Sequence, residues 1–368
     1  MKLIKQYSPF INKQEINYIS KVLSKKFLTE NLETKKFEKN FSKIFYMNNV
    51  VAMSNWTLGL LTILKVIGIQ KGDEVIVPNL TFFATATPIL ICGAKIVLCD
   101  ISINNFSLDL NKLKKKITKK TKCIIPVHLF GFCCNMWEIR KICKKKKIFL
   151  IEDSAQALGA KYKNLYLGSF GDFSGFSFYG NKIITTGEGA MVISKKKYYL
   201  KKLFAFKNHG RHRKGIFKHK VFGLNFMFTE MQAAIGNIQL KKFKQIIQKK
   251  IFINKLYKKL LSNIVEFPHP INGNEPNYWM TCIFVKNKIK LKKFLLKNKI
   301  ETRDFFYPLN LQPAFKFNKL IKNKNEVFKN SMFVYRNSLI LPSGHDLTNK
   351  KIFYITSKIK KFYNEIRS

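Results

Sequence analysis

From residue 49 onward, short β-branched runs alternate with segments whose apolar residues recur at helical spacing. Val50-Val-Ala-Met53 reads as a strand, and Ser54-Asn55 supplies capping side chains for a helix over Thr57 to Ile67 that Gly68 stops. Glu74-Val-Ile-Val77 is a second strand, ended by Pro78 and followed by a helical stretch from Thr81 to Leu90. Then come the strand Lys95-Ile-Val-Leu-Cys99, a helix near Leu108 to Ile117, the strand Lys122-Cys-Ile-Ile-Pro126, a helix over Met136 to Lys146, and the strand Ile148-Phe-Leu-Ile151. Strands alternating with helices in this way predict βαβ units and a mostly parallel central sheet. The strands are apolar at consecutive positions, as expected where both faces of a sheet are covered.

The pattern changes after about residue 170. Phe173 to Tyr179, Lys182 to Thr186 and Ala190 to Ser194 read as consecutive short strands around glycine turns. Helical patterns follow from Lys196 to Lys207 and from Thr229 to Leu261, the second with an expected break near Lys244. The remainder offers a strand over Trp279 to Val285, a Lys-rich helix over Leu291 to Lys297, and a loop-like Glu301 to Pro313. The expected organisation is α/β: a large domain over 1–248, with an N-terminal helical segment 1–48, and a smaller α+β domain over 249–368.

A chain of 368 residues and 43.0 kDa has room for two domains and a sizeable core. No stretch approaches the apolar length of a membrane span, and the first residues lack the apolar region of a secretory signal, so a cytoplasmic location is expected. Lys and Arg total 68 against 21 Asp and Glu, a formal charge of +47. Such an excess is the footprint of nucleic-acid or anionic-membrane partners. Its form argues otherwise, because Arg occurs only at Arg140, Arg211, Arg213, Arg303, Arg336 and Arg367 and the lysines are spread through every helix-like segment. Most of them read as solvated helix faces, and nucleic acid is not an expected partner. The seven cysteines (Cys92, Cys99, Cys123, Cys133, Cys134, Cys143 and Cys282) form no C-x-x-C pair and sit in apolar surroundings, the usage of a reducing compartment. No zinc-ligand spacing is present, and no metal is expected.

Three features carry candidate chemistry. The strand at Ile148 to Ile151 runs into Glu152-Asp153-Ser154-Ala155-Gln156, and a carboxylate at the mouth of a buried strand needs a cation or donors to meet it. Helix capping is its plainer explanation. Lys182 lies between the apolar run Phe176-Ser-Phe-Tyr179 and the turn Gly187-Glu-Gly189, flanked by Ile and aromatic residues where most lysines here have lysine neighbours. Desolvation in such a setting lowers an amine's pKa and makes a nucleophile of it. Ser54-Asn55-Trp56-Thr57 joins a strand to a helix N-terminus, a ready anion site if it is not capping alone. An acidic strand end, a desolvated lysine and a phosphate-holding helix start together describe a site for pyridoxal 5'-phosphate (PLP).

With those residues in place, the sequence resembles the nucleotide-sugar aminotransferases of the DegT/StrS type, which are fold-type I PLP enzymes. The resemblance runs through Gly72-Asp-Glu-Val-Ile-Val-Pro78, Thr81-Phe-Phe-Ala-Thr-Ala86, Pro126-Val-His-Leu-Phe-Gly131, Glu152 to Gln156, Gly180 to Gly189, Gly223 to Gly236 and Glu301 to Pro308. The Gly180 to Gly189 run is most similar to the branch that aminates a GDP-linked 4-keto-6-deoxyhexose. The resemblance implies that Lys182 carries the Schiff base and shuttles the proton, and that Asp153 holds the pyridinium nitrogen protonated. It places Gln156 near the 3-oxygen, Phe82 on the ring, and Trp56, Thr57 and Ser177 around the phosphate. Asn225 would reach the phosphate from a partner subunit, implying a homodimer. His128, Arg303 and Tyr307 are candidates for the substrate side. L-glutamate is the implied amino donor and surface-glycan synthesis the implied setting.

Four positions depart from the family pattern: Trp56 stands where Gly is common, Asp304 for Pro, Asn310 for His and Ala190 for Gly. Other readings stay open on the sequence alone. One is a dehydratase or 3-aminotransferase of the same fold, although dehydratase relatives carry His in place of the lysine. Another is a basic nucleic-acid-binding or regulatory protein.

Overall fold

The computed structural model describes residues 2–213 and 215–367. Seven strands make the central sheet: β1 (Val50–Met53), β2 (Glu74–Pro78), β3 (Lys95–Cys99), β4 (Thr121–Ile124), β5 (Phe149–Asp153), β6 (Phe173–Ser177) and β7 (Ala190–Ser194). Their order across the sheet is β1-β7-β6-β5-β4-β2-β3. The neighbours from β6 to β3 pair in parallel, while β7 runs antiparallel to both β1 and β6. The carboxyl ends of β1, β2, β5 and β6 therefore share one edge, where open α/β sheets hold ligands.

Helices cover both faces. The helix Trp56–Val66 begins one residue earlier than the sequence pattern suggested, because Asn55 Oδ1 accepts the Leu58 N–H at 3.0 Å and closes the first turn. It buries Leu60, Leu61, Ile63 and Leu64 against the sheet. On the other face, Lys13–Ser24 and Leu32–Phe45 pack on the long helix Glu230–Leu261. Asn31 offers no side-chain cap to the second of these. Glu230 replaces it: its carboxylate accepts the N–H groups of Asn31, Glu33 and Thr34 at 2.7, 2.8 and 3.0 Å.

The helix Glu230–Leu261 is continuous, so the break expected near Lys244 is absent. A capping box between Thr229 and Gln232 starts it, and no Gly or Pro follows Gly236 to interrupt it. Its Lys-rich stretch is not uniformly solvated. Lys250 is buried, lies 4.9 Å over the Tyr7 ring and donates to the Ser343 carbonyl. The helix contributes Phe243 and Ile246 to one apolar cluster and Ile253, Tyr257 and Leu261 to another. The expected division at residue 248 falls between these two sets. The second cluster is completed by the helices Lys288–Lys297 and Asn349–Arg367 and by a three-stranded sheet of Thr281–Phe284, Ser338–Leu341 and Arg303–Asp304.

The strand expected over Lys182 to Thr186 is a loop. Ile183 and Ile184, whose apolar character suggested a strand, instead anchor the loop in the core. Gly187, at φ 80°, turns the chain back, and the Thr186 N–H donates to the Phe178 carbonyl at 2.9 Å. All seven cysteines are unpaired and buried, and burial pushes the thiols upward, that of Cys134 to about 12. Among the described residues no helix is long and apolar enough to cross a membrane.

Candidate active site

A cavity of about 740 Å³ opens at the carboxyl edge of the sheet. Its walls include Trp56 and Thr57 after β1, Phe82 after β2, Gln156 after β5, and Ser177 and Lys182 from β6 and the loop beyond it. The far side is closed by Trp279 and Met280, which precede the strand Thr281–Phe284, and by Arg303 and Asp304.

β5 delivers two carboxylates to this edge, and strand alternation sends them to opposite faces. Glu152 is fully buried and accepts the N–H groups of Gly168, Phe170 and Gly171 at 2.8, 2.6 and 2.7 Å, with His128 Nε2 2.9 Å away. Its lone pairs are consumed in holding the turn into β6. Asp153 faces the helix Trp56–Val66. Thr85 Oγ1 donates to its Oδ2 at 2.8 Å, while the Trp56 indole N–H and the Ala155 N–H donate to Oδ1 at 2.9 and 3.2 Å. Burial pushes this carboxyl above its ordinary range, and these donors and the Lys182 charge pull against that shift.

The Lys182 amine lies 4.1 Å from the centre of the Trp279 ring. Burial lowers its pKa to about 8, Asp153 opposes the shift, and Arg303 adds to it. Its backbone is pinned from two sides: the Tyr7 hydroxyl donates to the Lys182 carbonyl at 2.9 Å, and the Trp279 indole donates to the Asn181 carbonyl. The N-terminal segment therefore helps to fix the loop that carries the amine.

The first turn of the helix Trp56–Val66 presents the unpaired N–H groups inherent in a helix start, which together with the nearby Ser177 hydroxyl suit a phosphate. Gln156 Oε1 accepts the Phe130 N–H at 3.2 Å and lines the cavity. The Phe82 ring is exposed within the cavity, 6.0 Å from that of Phe306, free to cover a planar ligand. An amine nucleophile, a buried carboxylate, an anion-binding helix start and an open aromatic face fit PLP part by part.

Other expected residues lie elsewhere. His128 is fully buried against Glu152 and does not line the cavity, so its role is within the fold. Tyr307 also lies outside the lining, its ring 5.1 Å from that of Tyr335. Asn225 is exposed, bridged to Asn208, and absent from the cavity wall. Arg303 does line the cavity. Asp304 beside it pairs with Lys292 and, at 3.8 Å, with Lys288. Asn310 is spent on Asn79, accepting from Asn79 Nδ2 at 2.9 Å and donating its N–H to Asn79 Oδ1 at 3.0 Å. The sequence reading missed Thr85 and Trp279. Thr85 lay inside a quoted motif without a role, and Trp279 looked like an ordinary strand residue.

Residues 9–360 match the model of the DegT/DnrJ/EryC1/StrS aminotransferase family, and the chain belongs to that family. The GDP-perosamine synthase of Escherichia coli O157:H7 is 34% identical over 369 residues, covering 99% of this chain and 100% of that protein. The GDP-perosamine synthase of Vibrio cholerae is 31% identical over 369 residues, covering 98% of this chain and 100% of that one. A Streptococcus pneumoniae chain solved in its PLP form superposes with a TM-score of 0.92 at 26% identity, covering 99% of each chain. The protein is thus a PLP-dependent sugar aminotransferase with the fold-type I architecture.

Proposed function

We propose that this enzyme moves an amino group from L-glutamate to the 4-keto carbon of a GDP-linked 4-keto-6-deoxyhexose, in the cytoplasm, as a step in surface-glycan synthesis. The observation that carries the reading is Lys182 opposed to Asp153 at the carboxyl edge of the sheet, in a chain alignable over its whole length with two GDP-perosamine synthases. When bound, PLP supplies an electron sink for the carbon next to the transferred nitrogen.

The protein's own groups do the rest. Asp153 would provide the negative partner for the ring nitrogen, and the N–H groups of Trp56 and Thr57 with the Ser177 hydroxyl would take the phosphate. Gln156 would lie near the ring oxygen and Phe82 would cover the ring face, both residues lining the cavity. Lys182 Nζ, neutral for part of the time near pH 8, would take up and return the proton of the substrate carbon. Arg303 at the cavity wall offers a cation to the substrate's anionic groups. The overall charge of +47 steers a diphosphate toward the site.

The reading is tested by incubating enzyme, L-glutamate and a 4-keto nucleotide sugar, then measuring product mass. Exchange of the keto oxygen for an amine supports it, and loss of water contradicts it. Fractionation of cells checks the cytoplasmic location, which the unpaired buried cysteines support.

A homodimer belongs to the same proposal. Phe217 and Phe222 are 82% and 101% exposed, in a segment that also exposes Ile216, Val221 and Leu224 and leads into Asn225. Such a run of open apolar side chains is suited to burial against a second copy. Phe222→Asp is expected to shift the sedimentation of micromolar protein from dimer to monomer and to weaken PLP retention through loss of Asn225 from the partner. Unchanged sedimentation would contradict this interface.

A further inference from the structure

The Trp56 indole is housed by two glycines. A Cβ on Gly175 would fall 1.7 Å from Trp56 Cζ3, and one on Gly59 would lie 3.2 Å from Cε3. Gly175 sits opposite Asp153 in the pairing of β5 with β6. The ring is therefore seated in a slot beside the carboxylate, 6% exposed, with its N–H 2.9 Å from Asp153 Oδ1.

We propose that Trp56 is a positioning residue for the cofactor carboxylate, its indole N–H holding Asp153 ionised and in one orientation for the pyridinium nitrogen. The inference needs the PLP dependence of the family and is independent of which sugar is aminated. A buried carboxylate is costly to ionise, and each donor to the charged form offsets part of that cost. Thr85 and Ala155 supply two donors and Trp56 the third. The charge opposing burial from the cavity side is Lys182, and Glu152 on the opposite face of the strand is engaged with His128 and backbone N–H groups.

Burial already raises the Asp153 pKa, and removing a donor to the charged form raises it further. A variant without the N–H protonates Asp153 at higher pH than wild type does, so its binding deficit grows as pH falls. The test is PLP binding to the apo-protein by equilibrium dialysis from pH 6 to 9, comparing wild type with Trp56→Phe, which keeps a ring and removes the donor. The ratio of the two constants cancels the titrations of PLP and Lys182 common to both proteins. We expect Trp56→Phe to bind about tenfold more weakly near pH 6, with the gap narrowing toward pH 9. Gly175→Ala, which displaces the indole while leaving Trp56 in the chain, should give the same pH-dependent loss. In an Asp153→Asn background, Trp56→Phe should change PLP affinity by less than about twofold. A deficit equal at all pH values would make the indole mere packing and overturn the proposal. So would affinity equal to or tighter than wild type, which would place the indole in the seat of the pyridinium.

Discussion

Lys182→Ala is expected to lower turnover by roughly 10⁴-fold or more while leaving the fold and the oligomeric state intact. This amine is unusual among so many lysines. At pH 7.5 an ordinary lysine is neutral in roughly one molecule per thousand. An amine at a pKa of about 8 is neutral in about a quarter of molecules. Burial produces that shift, and the Trp279 face at 4.1 Å partly compensates the charged form without abolishing the neutral one. The same balance predicts that the rate at which apo-protein takes up PLP rises with pH through a midpoint near 8. Stopped-flow uptake and steady-state assays, with circular dichroism of the variant as the control for folding, check both statements. A Lys182→Ala enzyme retaining more than about one per cent of turnover would show that the amine does not take part.

Glu152→Ala is expected to be the most destabilising single change at the site, by about 3–5 kcal/mol. The carboxylate accepts three backbone N–H groups and faces a His128 ring that is itself fully buried. Truncation leaves those donors without a partner and without water, and each unsatisfied buried donor costs about 1–3 kcal/mol, less than additively when they share one acceptor. Glu152→Gln keeps one accepting oxygen but turns an amide N–H toward other donors, so its loss should be smaller than that of the Ala variant. Thermal midpoints at fixed protein concentration and saturating PLP make the comparison. A Glu152→Ala protein that melts with wild type would mean that the Gly168–Gly171 turn stands without this anchor.

These two carboxyl neighbours show how far the sequence could be read. The β-branched runs identify β1 to β5 because strands buried on both faces leave an unbroken apolar signature. Lys182 stood out by its apolar flanks, and Asp153 by its place at a strand end. The division of labour between Glu152 and Asp153 follows from strand alternation, but which face held the ligand depended on the helix that packs there. The resemblance placed His128 on the substrate side, and its partner, Glu152, is 24 positions away in the chain, beyond the reach of local pattern. The role of Trp56 was hidden for the same reason: its contact with Asp153 spans 97 positions and needs a slot that Gly175 leaves open. The strand expected at Lys182 to Thr186 failed because Ile183 and Ile184 are apolar as loop anchors, a use that local pattern does not distinguish from pairing. The long helix survived its Lys-rich centre because Lys250 takes its carbonyl and ring partners from other segments.

The most direct test of the central claim is the visible absorbance of the PLP-loaded enzyme through two additions. L-glutamate alone should fade the band of the bound cofactor, as the amino group is taken up. Adding a GDP-linked 4-keto-6-deoxyhexose should then restore it, as the amino group leaves for the 4-keto carbon. A band that fades with glutamate and stays faded with the GDP-linked 4-keto sugar would contradict the account, because the amino group would have no acceptor of the proposed kind.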